Sequence, residues 1–114
     1  MNKKNEQKKL RDQIAELIII TLGTGKNAIK LQGSPNSRQI MHDAMRAMQT
    51  LGVNETDWIL ADNSIKKLTL AQLSEAHALS TQAIGALFVK AKQGLLTLDD
   101  LRRARAEYEN ATKK

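Results

Sequence analysis

Apolar residues recur at helical spacing in four stretches of the chain. This periodicity predicts helices over residues 5–22, 37–51, 70–93 and about 97–110. Each of the first three stretches is followed by a glycine, which can adopt the left-handed backbone that ends a helix: Gly23, Gly52 and Gly94. The end of the first helix has a second interpretation, because residues 18–21 are all β-branched and would also suit a strand.

Side chains that cap helices precede the other three stretches. Asn36 or Ser37 can accept a hydrogen bond from the first turn of the second helix, and Thr69 can do the same for the third. Thr97 stands before the fourth helix and is followed by Asp99-Asp100. Negative charges in a first turn favour the positive end of the helix dipole, so this boundary is predicted twice over.

Two other segments have patterns typical of extended structure. Residues 26–36 alternate apolar and polar side chains, which predicts a short edge strand or an extended loop. In residues 57–68, apolar residues flank Asp62-Asn63, a pair that tolerates the backbone of a tight turn. We therefore predict an α+β fold, predominantly helical, with about four helices and a small β-hairpin around residues 57–68. Trp58 is expected to be largely buried where this hairpin packs on the helices.

Composition restricts the core to aliphatic side chains. Aromatic residues make up 3% of the chain: Trp58, Phe88 and Tyr108. The core must then come from Leu, Ile, Met and Ala, which suit packed helices better than sheets. The 114 residues fit one domain. We expect a single compact domain over residues 10–110, with a basic flexible N-terminal segment over residues 1–9 and a basic tail over residues 111–114.

The net charge of +6 is concentrated toward the two ends. A basic chain can be drawn to nucleic acid by counterion release. It can equally carry solvated basic ends or dock on an acidic partner. The apolar run over residues 17–20 is too short for a signal sequence or a membrane span. We therefore predict that the protein is synthesised in the cytoplasm and does not associate with a membrane.

No set of residues indicates catalysis or a bound metal. The chain has no cysteine, which excludes disulfides and thiolate sites. Gly23-Thr24-Gly25-Lys26 is not a phosphate-binding loop, because Ile20 replaces its first glycine and Asn27 the hydroxyl that would bind Mg²⁺. His42 and His77 lie on different predicted helices, and neither has a second ligand at i+3 or i+4. We predict that the protein is not an enzyme and has no catalytic, cofactor-binding or metal residues.

Residues 73–87 match the residue pattern of a helix-turn-helix. Small, turn, apolar and capping residues occur in the expected order: Ser74, Ala78, Leu79, Ser80, Ile84 and Leu87. In this interpretation the DNA-binding residues would be Ser80, Thr81, Gln82 and Lys90. One uninterrupted helix explains the same residues, since alanine at the turn position does not break a helix. Ser80 would then not be a cap, and we would expect Ser80→Ala to be nearly neutral.

Several packing motifs also occur in a characteristic order. They occupy residues 10–14, 37–41, 58–63, 68–70, 87–91 and 98–101. This order resembles a domain of unknown function that recurs in tail-fibre and tail-fibre-assembly proteins of tailed phages and prophages. The resemblance covers most of the chain and identifies no active site.

The resemblance implies a phage tail-associated structural or assembly protein that acts through protein–protein contacts. Its partners would be phage tail or tail-fibre proteins, and we expect it to form a homo-oligomer as well. It would be made in the bacterial host cytoplasm and could stay in the virion tail. The alternative is a small phage or prophage helix-turn-helix DNA-binding regulator.

Overall fold

The structure is a computed structural model that describes residues 3–113. Its elements are α1 (Lys3–Ala15), β1 (Ile19–Leu22), β2 (Ile29–Gln32), α2 (Pro35–Leu51), β3 (Glu55–Ile59), β4 (Ile65–Thr69), α3 (Leu70–Lys92) and α4 (Leu98–Thr112). The strands form two antiparallel sheets of two strands each, β1 with β2 and β3 with β4. The predicted α+β, mostly helical fold is confirmed.

The first helix is shorter than predicted, because the β-branched residues behind it form a strand. α1 ends at Ala15, and β1 pairs with β2 so that Ile20 lies opposite Leu31. The prediction of helix up to residue 22 is therefore wrong. Branched side chains lose rotamer freedom in a helix and pack well on a sheet. Pairing also buries Ile20 and Leu22, which are each about 5% exposed.

The second helix begins earlier than predicted, with a different cap. The side chain of Ser34 accepts a hydrogen bond from the backbone N–H of Ser37 at 3.2 Å, and Pro35 is the first helical residue. Neither Asn36 nor Ser37 is the cap, because proline's fixed backbone angle and missing N–H suit the first position of a helix. The caps predicted for α3 and α4 are confirmed, since Thr69 and Thr97 each form a capping box.

The predicted hairpin is formed by β3 and β4. Their register places Trp58 opposite Lys66 and Ile59 opposite Ile65, and Asn63 in the turn has a positive φ of 71°. Trp58 is half-buried rather than largely buried, because it packs at the margin of the core and lines a surface groove.

Two groups of buried aliphatic residues hold the fold together. The larger one joins α2, α3 and both sheets, and its fully buried members include Leu31, Met41, Leu68 and Leu73. The smaller one joins α1, the end of α3 and α4 through Ile14, Leu96 and Leu101. No helix within residues 3–113 has the length and apolar character needed to span a bilayer.

The domain boundaries predicted at residues 9 and 111 do not coincide with element boundaries. Residues 3–9 belong to α1, and the buried side chain of Gln7 makes two hydrogen bonds to the backbone of Leu96. Within the predicted basic tail, Ala111 is buried and α4 continues to Thr112. Side chains near both ends of the chain therefore take part in packing. Residues 1, 2 and 114 lie outside the described residues.

Candidate functional site

The helix-turn-helix suggested by the sequence is not formed. α3 continues without interruption from Leu70 to Lys92, so its dihedrals leave no turn at Ala78. Ser80 is 0% exposed, and its Oγ donates a hydrogen bond to the backbone carbonyl of Gly33 at 2.7 Å. A serine in this position fastens α3 to the loop before α2 and cannot reach a DNA groove.

The other three residues of that hypothesis do not form one surface with Ser80. Thr81 is exposed and donates to the carbonyl of His77, one turn earlier on the same helix. Gln82 is exposed as well. Lys90 makes an ion pair with Asp100 of α4 at 3.3 Å, so it links two helices. The sequence pattern in this segment therefore encodes a long packed helix.

The two histidines meet across α2 and α3. Their ring centroids are 5.8 Å apart, and Nε2 of His77 is buried without a hydrogen-bond partner among the described residues. Burial lowers the pKa of His77 from its ordinary 6.5, and the positive charges of Arg38 and His42 lower it further. The pair therefore favours the neutral form of His77. Within residues 3–113, no three His, Cys, Asp or Glu side chains are grouped so that they could hold a metal ion.

A different surface has the composition of a binding site. An open groove of about 610 Å³ lies beside β3, between the start of α2 and the end of α4, and we call it the hairpin groove. Its main apolar and aromatic lining residues are Ile40, Trp58, Ile59, Leu60 and Tyr108. Polar lining comes from Gln32, Asp57 and Asn63 among others, so the groove combines apolar and polar side chains.

The apolar side chains in and beside this groove are unusually exposed. Ile40 is 50% exposed, Ile59 is 64% exposed, and Ile65, the cross-strand neighbour of Ile59, is 71% exposed. Beside this isoleucine pair, Asp57 and Lys67 form an ion pair across the hairpin at 3.2 Å. Clustered exposed apolar residues rimmed by polar groups are typical of protein-binding surfaces. Tryptophan and tyrosine are also the residues that most often dominate binding energy.

The chain's aromatic residues are concentrated at grooves rather than in the core. Trp58 and Tyr108 line the hairpin groove, and Phe88 lines a separate groove between α1 and α3. Sequence reasoning missed the hairpin groove because its residues come from elements far apart in the chain. One signal was present: Ile59 lies two residues after Asp57 and so shares a face of the predicted strand with a charged side chain, where an apolar residue is unexpected.

Comparison with known proteins identifies a family and no function. The model of one family, described as a domain of unknown function (DUF4376), matches residues 2–111. Neither the curated proteins nor the solved structures include a significant match to this chain. The match covers every lining residue of the hairpin groove except Thr112.

Proposed function

The chain belongs to this family of domains of unknown function, and we propose that it is a phage tail-associated structural or assembly protein acting through protein–protein contacts. The resemblance of its packing motifs to domains of tail-fibre proteins supplies the class of partner. The hairpin groove supplies the contact surface. In this proposal a phage tail or tail-fibre protein binds there.

One observation carries the protein-binding part of the proposal. Ile40, Ile59 and Ile65 leave half or more of their surface in water, next to two half-buried aromatic side chains. Burying apolar area stabilises a complex by about 25 cal/mol per Å² before the costs of association. A partner that covers these residues would therefore gain most of its affinity from a few side chains at the centre of the groove.

The location and assembly state proposed with this function follow from the same class of partner. The protein would be synthesised in the bacterial host cytoplasm and could remain in the virion tail. Exposed apolar side chains also support self-association. We propose that copies of the chain form a homo-oligomer before or during binding to the tail protein.

The proposal is tested by co-purification of the protein with phage tail and tail-fibre proteins. Ile59→Lys places a charge on an exposed apolar lining position of the hairpin groove and should weaken binding by tenfold or more, about 1.4 kcal/mol. Leu51→Lys is the matched control, because Leu51 is 73% exposed and does not line the groove. The control should bind as the unmodified protein does.

Two results would overturn the proposal. One is the absence of binding to any tail or tail-fibre protein by the unmodified chain. The other is nanomolar, sequence-selective DNA binding in a gel shift at physiological salt, since non-specific binding to phosphate is far weaker, on the order of 10⁻⁴–10⁻⁶ M.

A further inference from the structure

A second groove lies at the C-terminal end of α3 and is lined by positively charged residues. It has a volume of about 880 Å³ and lies between the N-terminal half of α1 and the end of α3. Five positively charged residues line it: Lys3, Lys4, Lys8, Arg11 and Lys92. No aspartate or glutamate is among its lining residues. We call it the basic groove.

Four of the five positively charged residues of the basic groove lie on α1, and hydrogen bonds fix the position of this helix. Gln7 lies on α1 among the lysines, and its side chain is held by the backbone of Leu96 at 2.8 and 2.9 Å. These two hydrogen bonds connect the first turns of α1 to the segment between α3 and α4. The lysines of α1 therefore have a defined position relative to α3, which lowers the entropy lost when a partner binds.

Most of these charges lack compensation inside the protein. Within residues 3–113, Lys3, Lys4, Lys8 and Lys92 make no ion pair, while Arg11 pairs with Asp12 at 2.9 Å. Lys4 and Lys8 are one helical turn apart, a spacing at which like charges repel each other. An acidic group bound between them would remove this repulsion.

Apolar side chains adjoin the charges. Phe88 and Ala91 line the groove, and Phe88 is 43% exposed. The guanidinium of Arg11 lies 4.4 Å from the centre of the Phe88 ring and covers one of its faces. Single-stranded nucleic acid is held by free aromatic faces on which bases stack. A ring that is already covered on one face by Arg11, with the small apolar Ala91 also lining the groove, suits protein better.

From these features we propose that the basic groove binds an acidic, amphipathic segment of a partner protein. In this segment, carboxylates and apolar side chains each recur at helical spacing. The carboxylates pair with the lysines of α1, and the apolar side chains cover Phe88 and Ala91. This surface is distinct from the hairpin groove and does not depend on the function proposed for it. The protein would then have two docking surfaces of different chemistry.

The test is a binding titration with a labelled synthetic peptide in which glutamate and leucine repeat at helical spacing, measured by fluorescence anisotropy at physiological salt. Lys4→Glu combined with Lys8→Glu should weaken binding about tenfold or more, because two attractive charges become repulsive. The control combines Lys26→Glu with Lys66→Glu, which changes the net charge equally. Both control residues are exposed and line another groove. The control should bind the peptide with unchanged affinity.

Two further probes separate the alternatives. A polyglutamate peptide of the same length should bind several-fold more weakly than the amphipathic peptide, and so should a single-stranded DNA of equal charge.

Equal weakening by both pairs of substitutions would overturn the proposal, because binding would then follow net charge alone. Tighter binding of the DNA, lost in the Lys4→Glu, Lys8→Glu variant, would assign the groove to nucleic acid instead. Absence of any peptide binding would overturn it too. Ile59→Lys should leave peptide binding intact, so this proposal and the proposed function fail independently.

Discussion

Replacing Ser80 by alanine removes a hydroxyl that lies wholly inside the protein. Its Oγ donates to the carbonyl of Gly33 at 2.7 Å, and both residues are buried. Alanine fills nearly the same space, so the change leaves almost no cavity and its main effect is on this hydrogen bond. The carbonyl of Gly33 loses this donor in a place that water does not reach.

The cost can be worked out from this geometry. Leaving a buried acceptor without its donor costs about 1–3 kcal/mol, whereas the better helix propensity of alanine returns about 0.5 kcal/mol. Unfolding entropies near 2.1 cal/mol/K per residue amount to about 0.24 kcal/mol/K for this chain of 114 residues. The net loss of about 0.5–2.5 kcal/mol should therefore lower the melting temperature by about 2–10 °C. This replaces the expectation of a nearly neutral change, which considered only the capping role of Ser80.

The assay is thermal and urea unfolding followed by circular dichroism, with Ser74→Ala as the control. Ser74 lies on the same helix and is exposed, and its side chain makes no hydrogen bond within residues 3–113. Its replacement should be neutral or slightly stabilising. Equal stability of the two variants would refute the reasoning, because it would mean that the Ser80 hydroxyl contributes nothing beyond helix propensity.

Two further predictions concern packing and pH. Gly33→Ala should cost about 1–3 kcal/mol, because the added Cβ would lie 2.5 Å from Cγ1 of the buried Ile20 and something in the core must shift. Gly85→Ala should instead stabilise the protein by about 0.5–1 kcal/mol, since the new Cβ meets nothing within 4 Å and the residue is helical. Urea unfolding of both variants checks these two predictions. A stability gain in Gly33→Ala would contradict the close packing of Gly33 on Ile20. For pH, the pKa of His77 is lowered in the folded protein from its ordinary 6.5. As pH falls, His77 therefore takes up a proton in the unfolded chain before it does so in the folded protein. The stability that the fold gains from neutral His77 is complete above about pH 6.5 and declines as pH falls toward the folded pKa. His77→Gln should flatten this decline in unfolding curves between pH 7.5 and 5.5, and an unchanged slope would exclude His77 as its cause.

The helices and the hairpin were predictable because their signals are local. Capping at Thr69 and Thr97 and the turn at Asp62-Asn63 depend on neighbours a few residues away. The first sheet was harder to predict. Residues 18–21 satisfy helical periodicity as well as strand propensity, and the choice is made by pairing with β2 and by the burial of Ile20.

The surfaces were less predictable than the fold. Ile40 belongs to the apolar stripe of α2, yet it is half exposed because no other element covers that part of the helix. Residues 3–9 are rich in lysine and predicted a flexible segment, but one buried glutamine fixes them to Leu96. The contact between Gln7 and Leu96 joins residues 89 positions apart, and no local pattern in the sequence predicts it.

The most direct test of the central claim observes Trp58 while the protein binds. It is the chain's single tryptophan and lines the hairpin groove, so fluorotryptophan labelling gives one ¹⁹F resonance that reports on this surface. A tail or tail-fibre protein that binds there should shift this resonance saturably in the unmodified protein and in Leu51→Lys. At the same concentrations it should cause a much smaller shift in Ile59→Lys. A complex that forms at these concentrations while the Trp58 resonance stays unchanged would contradict the account.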